Sequence, residues 1–237
     1  MNLLSFTTST DSGSVAVMKG DRIFKKSWNR TTQHSETLTL AIQSTLKKAS
    51  LKPLALDVIA VDKGPGSFTG ARMAVNVAKT MSYILNIPIF AETSLRILAE
   101  GAAPLHKGPI FCLLNAHKAL LYAQLFISNE NNEIELVHGS PWEKPRALPL
   151  TDILSQIDEK TLVIGDIPPT DFSQIREKGS RLIKKASLQT PQAAVLAQMA
   201  KRNNRQNAAA FVTWSKVEPS YIRVPDVVEK FLSNSAT

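Results

Sequence analysis

Apolar positions in this chain come first in short runs and then at helical spacing. Leu3 to Thr8, Ser14 to Met18 and Arg22 to Trp28 are strand-length runs separated by Ser9-Thr-Asp-Ser-Gly13 and Lys19-Gly-Asp21. Asp11 and Gly13 are turn formers, so the three runs predict an antiparallel meander. From His34 to Ala49 the apolar residues Leu38, Ile42, Leu46 and Ala49 share one helical face, with Ser44, Lys47 and Lys48 on the other. Val58 to Asp62 reads as a strand, Ala71 to Leu85 as a helix and Pro88 to Ala91 as a fifth strand. Thr93 is placed to cap a third helix running to about Glu100. The order is βββαβαβα, and strands that return through helices must lie parallel to the first.

A looser copy begins near Gly108. Pro109 to Leu114, Leu120 to Ile127, Glu133 to His138 and Thr161 to Ile164 are strand candidates, with a short helix over Thr151 to Ile157. Residues 181–186 predict one more strand. Thr190 with Pro191 predicts the cap and first turn of a helix to about Arg202. The pattern therefore predicts an α/β protein of two lobes, 1–104 and a reduced 105–237, with a tail from about Ala208. The repeated half matches the lobe of actin, the sugar kinases and the heat-shock ATPases, which fold as two such lobes around an ATP cleft.

Between the fourth strand and second helix lies Gly64-Pro-Gly-Ser-Phe-Thr-Gly70. Gly64, Gly66 and Gly70 imply positive φ or close approach by another group. Pro65 stiffens the turn, Ser67 and Phe68 lie within it, and Thr69 sits where an N-cap is expected. Such a turn can aim free N–H groups at a phosphate; a tight connection with no ligand is the other reading. Ala71 and Arg72 follow Gly70, so this is not a P-loop, and the glycine spacing is not the dinucleotide fingerprint.

Length and composition fit an ordinary globular protein, with 237 residues, 43% hydrophobic and 20% charged. One cysteine, Cys112, sits in an apolar run and has no partner for a disulfide. The start, Met1-Asn-Leu-Leu-Ser-Phe, has no basic leader, and no run approaches a membrane span, which predicts a cytoplasmic protein. A formal charge of +8 permits an RNA partner, but the basic residues are scattered and no aromatic residues alternate with them.

Catalytic chemistry is sparse. His34, His106, His117 and His138 include no pair at helical i,i+4 spacing, so no metal site is predicted. Ser67 and Ser94 stand in no Gly-x-Ser-x-Gly context. What remains is the helix after the glycine turn. Met73, Ala74, Val77, Ala78, Met81, Ile84 and Leu85 spread over an arc wider than one buried face needs. Small Ala74 and Ala78 would admit another helix, and Met73 and Met81 suit an adaptable contact. The alternative is that neighbouring helices cover this arc.

At Gly-Pro-Gly-Ser-Phe-Thr-Gly-Ala-Arg the sequence resembles the TsaB (YeaZ) family. Leu-Leu-Ser-Phe-Thr-Thr-Ser-Thr, His34-Ser35, Ile87-Pro88, Thr93-Ser94-Leu95 and Pro219-Ser-Tyr221-Ile-Arg223 carry the likeness further. The resemblance implies a catalytically inactive subunit, without cofactor or metal of its own. It would pair with TsaD, which transfers threonylcarbamoyl to adenosine 37 of tRNAs reading ANN codons. TsaE, a P-loop ATPase, joins them, tRNA is met through the complex, and TsaB alone can homodimerise through the same face. The implied contact uses N-terminal-lobe helices, here His34, Met73, Ala74, Val77, Ala78 and Met81. The sequence departs from the family at Thr7, where aspartate is usual, at Ala74, where glycine is usual, and at Asn115, His117 and Leu120. A stand-alone actin-like ATPase, an M22-type peptidase and a lone RNA-binding protein are the alternatives.

Overall fold

The computed structural model describes residues 1–29, 34–182 and 188–223. The first sheet begins as predicted. β1 (Asn2–Thr7), β2 (Ser12–Lys19) and β3 (Arg22–Asn29) form the antiparallel meander. The predicted turn former Gly13 lies inside β2 instead. It faces Trp28 across the ladder, and a Cβ there would fall 2.2 Å from the indole ring.

β4 (Val58–Asp62) and β5 (Ile89–Glu92) join parallel to β1, giving the order β5-β4-β1-β2-β3. α1 (His34–Lys48) and α2 (Phe68–Leu85) cover one face of this sheet. Leu38, Ala41, Ile42 and Leu46 of α1 and Ala74, Val75 and Ala78 of α2 pack there on Leu4, Phe6, Val15, Val17, Ile59 and Val61. α2 ends where Asn86 takes a left-handed conformation and returns its N–H to Ser82.

The second sheet repeats the plan. β6 (Gly108–Asn115), β7 (Leu120–Ser128) and β8 (Ile134–Leu136) are antiparallel, and β9 (Arg146–Pro149) lies beside the other half of β7. After α4 (Leu150–Leu154), β10 (Leu162–Asp166) runs parallel to β6. After α5 (Phe172–Glu177), β11 (Arg181–Leu182) runs parallel to β10. The order β11-β10-β6-β7-β8 matches the first sheet position by position. This is the duplicated actin-like, sugar kinase-like α/β architecture, with the second copy reduced. Of the strand predicted over 181–186, Arg181–Leu182 is formed, and 183–186 lie outside the described residues.

α3 (Ser94–Ala102) lies between the sheets. Thr93 caps it as predicted, accepting from the Arg96 N–H at 3.3 Å. Its Ile97 packs on the first sheet, while Leu95, Leu98, Ala99 and Ala102 pack on the second.

Two expectations are corrected here. α6 runs Ala193–Gln206, two residues later than a Thr190 cap with Pro191 in the first turn would give, and Gln192 at its N-cap makes no side-chain bond. The reason is that residues 191–193 are bonded to the first sheet. The Pro191 carbonyl accepts from Thr7 Oγ1 at 3.1 Å, the Ala193 N–H donates to Ser14 Oγ at 2.8 Å, and Ser5 Oγ donates to the Ala193 carbonyl at 2.7 Å. The lobe boundary also moves. Residue 104 is where the sheets change, but α6 packs Leu196, Ala197, Met199 and Ala200 on the first sheet. β12 (Phe211–Val212) then pairs antiparallel with β5, so these C-terminal elements belong to the first lobe.

Candidate functional site

Two places could carry function: the cleft where the lobes meet, and the outer face of α2.

The cleft is built by the glycine turn and the β1–β2 turn. Ser67, not Thr69, is the N-cap of α2, its hydroxyl accepting from the Gly70 N–H at 3.3 Å. Phe68 and Thr69 therefore begin the helix, and Phe68 turns its ring to the C-terminal segment. Two glycines allow the turns to touch. A Cβ on Gly66 would lie 2.0 Å from the Ser9 carbonyl oxygen, and one on Gly70 would lie 1.9 Å from that of Thr8. Ser67 N–H donates to Ser9 O at 2.6 Å, and Thr8 Oγ1 donates to Gly70 O at 2.8 Å. The β1–β2 turn thus packs directly on the glycine turn and takes up its Ser67 N–H.

Beneath this packing lies a carboxylate that sequence reasoning passed over. Asp62 is fully buried and accepts from Ser94 Oγ at 2.6 Å, from the Gly64 N–H at 2.9 Å and from Ser9 Oγ. It ties together four segments: the β1–β2 turn, the end of β4, the glycine turn and the start of α3. Burial raises its pKa to about 6, against the three donated hydrogen bonds. The signal in the sequence was an aspartate ending an apolar strand just before the glycines.

A pH dependence follows. The folded state keeps this proton up to a pH of about 6, whereas an ordinary aspartate loses it near 3.8. The associated stability is fully present below 3.8 and is lost as pH rises through about 6, a change of about 3 kcal/mol. Urea melts of wild type and Asp62→Asn should therefore converge or cross between pH 4 and 7, with the variant gaining on wild type as pH rises. Parallel curves would contradict the buried ionisation.

Across the cleft stand Leu114, Asn115, His117 and Asp166, facing Ser9, Thr10, Asp11, Gly66 and Ser67. The space between them is about 30 Å³, room for a water or two. Burial and the nearby Asp11 raise the Asp166 pKa, and His117 opposes them. Two carboxylates, Asp11 and Asp166, line this space. Thr7 does not line the cleft, since its hydroxyl bonds Ser14 and Pro191 instead. Asn115 Oδ1 accepts from the His117 N–H at 2.8 Å and shapes the β6–β7 turn, while Leu120 packs half-buried on the second core. Among the described residues no group of three or more His, Cys, Asp or Glu side chains could hold a metal ion. Cys112 is buried, which pushes its thiol pKa up.

The C-terminal segment closes over the glycine turn. Ser220 N–H donates to Lys63 O at 2.7 Å, and Tyr221 stacks obliquely on Phe68 at 5.0 Å. Arg72 lies over the Phe68 ring at 4.2 Å and donates its Nε–H to Tyr221 Oη at 2.8 Å. The next residues reach the second lobe: Ile222 packs on its core, and Arg223 donates to the Ala116 carbonyl. The peptide between Gly64 and Pro65 is cis.

α2 presents the second place. Of the expected contact residues, Ala74 and Ala78 are corrected: both are fully buried against the sheet and offer no surface. Met73, Val77 and Met81 pack half-buried on the same core. The α1 backbone begins at His34, whose side chain lies outside the described residues. The face turned outward carries other residues. Tyr83 and Ile84 are 67% and 70% exposed, and Trp214, 41% exposed, meets Tyr83 edge-on at 5.4 Å. With Asn76, Lys79 and Thr80 they line an open groove of about 630 Å³. The sequence pattern includes Ile84 in its arc but not Tyr83 or Trp214, the latter arriving from far along the chain.

Comparison with known proteins now bears on both places. The family model described as "TsaD: tRNA N6-adenosine threonylcarbamoyltransferase" matches residues 29–202. The tRNA threonylcarbamoyladenosine biosynthesis protein TsaB of Buchnera aphidicola subsp. Schizaphis graminum is 30% identical over 165 residues, covering 69% of this chain and 78% of that one. The chain belongs to the TsaB (YeaZ) family. TsaB of Bacillus subtilis is 26% identical over 239 residues, spanning 99% of both chains. The solved structure of YeaZ from Pseudomonas aeruginosa superposes with a TM-score of 0.76 at 23% identity, over 93% of this chain and 99% of that one, which bears on the fold. No helix among the described residues is long and apolar enough to cross a membrane.

Proposed function

We propose that this chain is a non-catalytic subunit that binds a TsaD-type protein through the outer face of α2 and supports formation of threonylcarbamoyladenosine in tRNA. The observation that carries the reading is the contrast between the two places. The cleft is about 30 Å³ and filled by the protein's own turns, whereas the α2 groove is open and edged by exposed Tyr83, Ile84 and Trp214. Clusters of exposed aromatic and aliphatic groups of this kind mark protein contacts. The names carried by the TsaB relatives and the TsaD family model supply the process and the kind of partner. In this reading tRNA and a TsaE-type ATPase are met through the larger complex, and the same face pairs two copies when the partner is absent.

The test is capture of a TsaD-type protein from the native cell together with nucleoside mass spectrometry after depletion. The expected result is a stable heteromer and loss of the modified adenosine. Persistence of the modification without this chain rejects the proposal. The enzyme alternative, an independent ATPase or M22-type peptidase, predicts turnover by the isolated chain that survives rigorous purification.

A further inference from the structure

The net charge of the chain sits mostly on one edge of the first lobe. Among the described residues β3 is the edge strand of its sheet, and it carries exposed Arg22, Lys25 and Lys26. Phe24 and Trp28 of β3 pack on the α1 side of the sheet and Ile23 on the α6 side. By the two-residue alternation, Arg22 and Lys26 flank the α1 side and Lys25 the α6 side; Lys26 accordingly reaches Ser44 of α1 at 3.3 Å.

More cations extend each flank. On one side Lys47 and Lys48 end α1, Lys52 follows, and Lys19 donates to the carbonyls of Ala49 and Ser50. On the other, Lys201 pairs with Asp21 at the hairpin tip, and Arg205 is close enough to help hold the Asp21 carboxyl below its usual range. Among the described residues, Asp21 and Asp57 stand against these nine cations, the latter accepting from the Asn2 N–H. The remaining 19 basic and 18 acidic residues of the chain nearly cancel.

Local roles account for part of this. Edge lysines discourage strand pairing, and cations at helix C-termini offset about half a charge each. A surplus of several charges remains on the ridge formed by this edge and its two flanks.

We propose that this ridge seats against the phosphate backbone of a structured RNA stem, with cations on both flanks meeting phosphates on the two sides of a groove. The wide, shallow groove of an A-form stem is bordered by backbone on both sides and is read by shape, whereas a flat anionic bilayer meets only one flank. Leu54 is the exposed apolar side chain next to Lys52, too little to anchor in lipid. The ridge lies beside α1 and leaves the α2 groove uncovered. The proposal rests on reading the chain as part of a tRNA-modifying assembly, since that supplies the RNA.

The experiment measures binding of the full chain to a labelled unmodified tRNA transcript by anisotropy over graded salt. Lys25→Glu/Lys26→Glu/Lys48→Glu should weaken binding about 10- to 100-fold near 0.1 M salt and flatten the salt slope by about 2. A charge-matched control on the second lobe, Lys144→Glu/Lys160→Glu/Lys178→Glu, should lose no more than about threefold. Equal losses in both triples mean that net charge alone acts, and the ridge is then no site. Unchanged tRNA binding in the first triple, or its loss of binding only to phosphatidylglycerol vesicles, likewise overturns the proposal. Capture of a TsaD-type partner is scored in the same samples. If no variant and no wild-type chain captures one, the subunit reading falls while ridge-dependent RNA binding still stands or falls on its own.

Discussion

Gly70→Ala should destabilise this protein by at least about 3 kcal/mol, although alanine is the better helix former and the position is helical. The added methyl would sit 1.9 Å from the Thr8 carbonyl oxygen. Neither side can retreat freely. Thr8 Oγ1 is bonded to Gly70 O, and the neighbouring Ser9 carbonyl holds Ser67 N–H. Relief requires the β1–β2 turn to lift away, and that opens the buried Asp62 cluster beneath it. For a chain of this size such a loss lowers Tm by about 6 to 12 °C. Gly101→Ala is the matched control. It is also helical, its Cβ would meet Leu188 and Val195 side chains at 3.6 Å, and it should be neutral or stabilising by up to about 1 kcal/mol. If calorimetry places the two variants within 1 °C of each other, the close packing of the turns is not what the glycine is for.

The second large effect concerns the proposed subunit contact. Tyr83→Glu with Ile84→Glu should leave the monomer folded, because both side chains are mostly exposed, and should weaken binding to the TsaD-type partner by about 2 to 4 kcal/mol. That is a loss of roughly 30- to 1000-fold in affinity. Titration calorimetry with size-exclusion chromatography reads both quantities. Ala78→Arg is a poor probe of the same surface: the guanidinium would be forced into a core with no exposed path, so it unfolds the lobe whatever the partner does. Wild-type affinity in the Tyr83/Ile84 variant would move the contact to another face.

The fold was legible where one residue's environment depends on its near neighbours. The meander, the parallel return of β4 and β5 and the Thr93 cap all follow from local period and turn chemistry. The pattern failed where distant segments decide. Thr190 and Pro191 carry a sound local start signal, yet Thr7, Ser14 and Ser5 engage residues 191–193 and delay the helix. The arc on α2 reads as wider than one face requires, but its alanines are buried against the sheet, and the open groove belongs to the stripe beside them. The glycine turn stood out, though its purpose turned on Ser9, Thr8 and Asp62, and no spacing rule brings those three together.

Strand β1 is completed by residues far along the chain. Ser5 and Thr7 bond residues 188 and 184 positions downstream, and Leu3 and Met18 wait for Leu196 and Met199 to cover them. Closing this face of the first sheet therefore waits on contacts of long sequence separation, which favours slow folding.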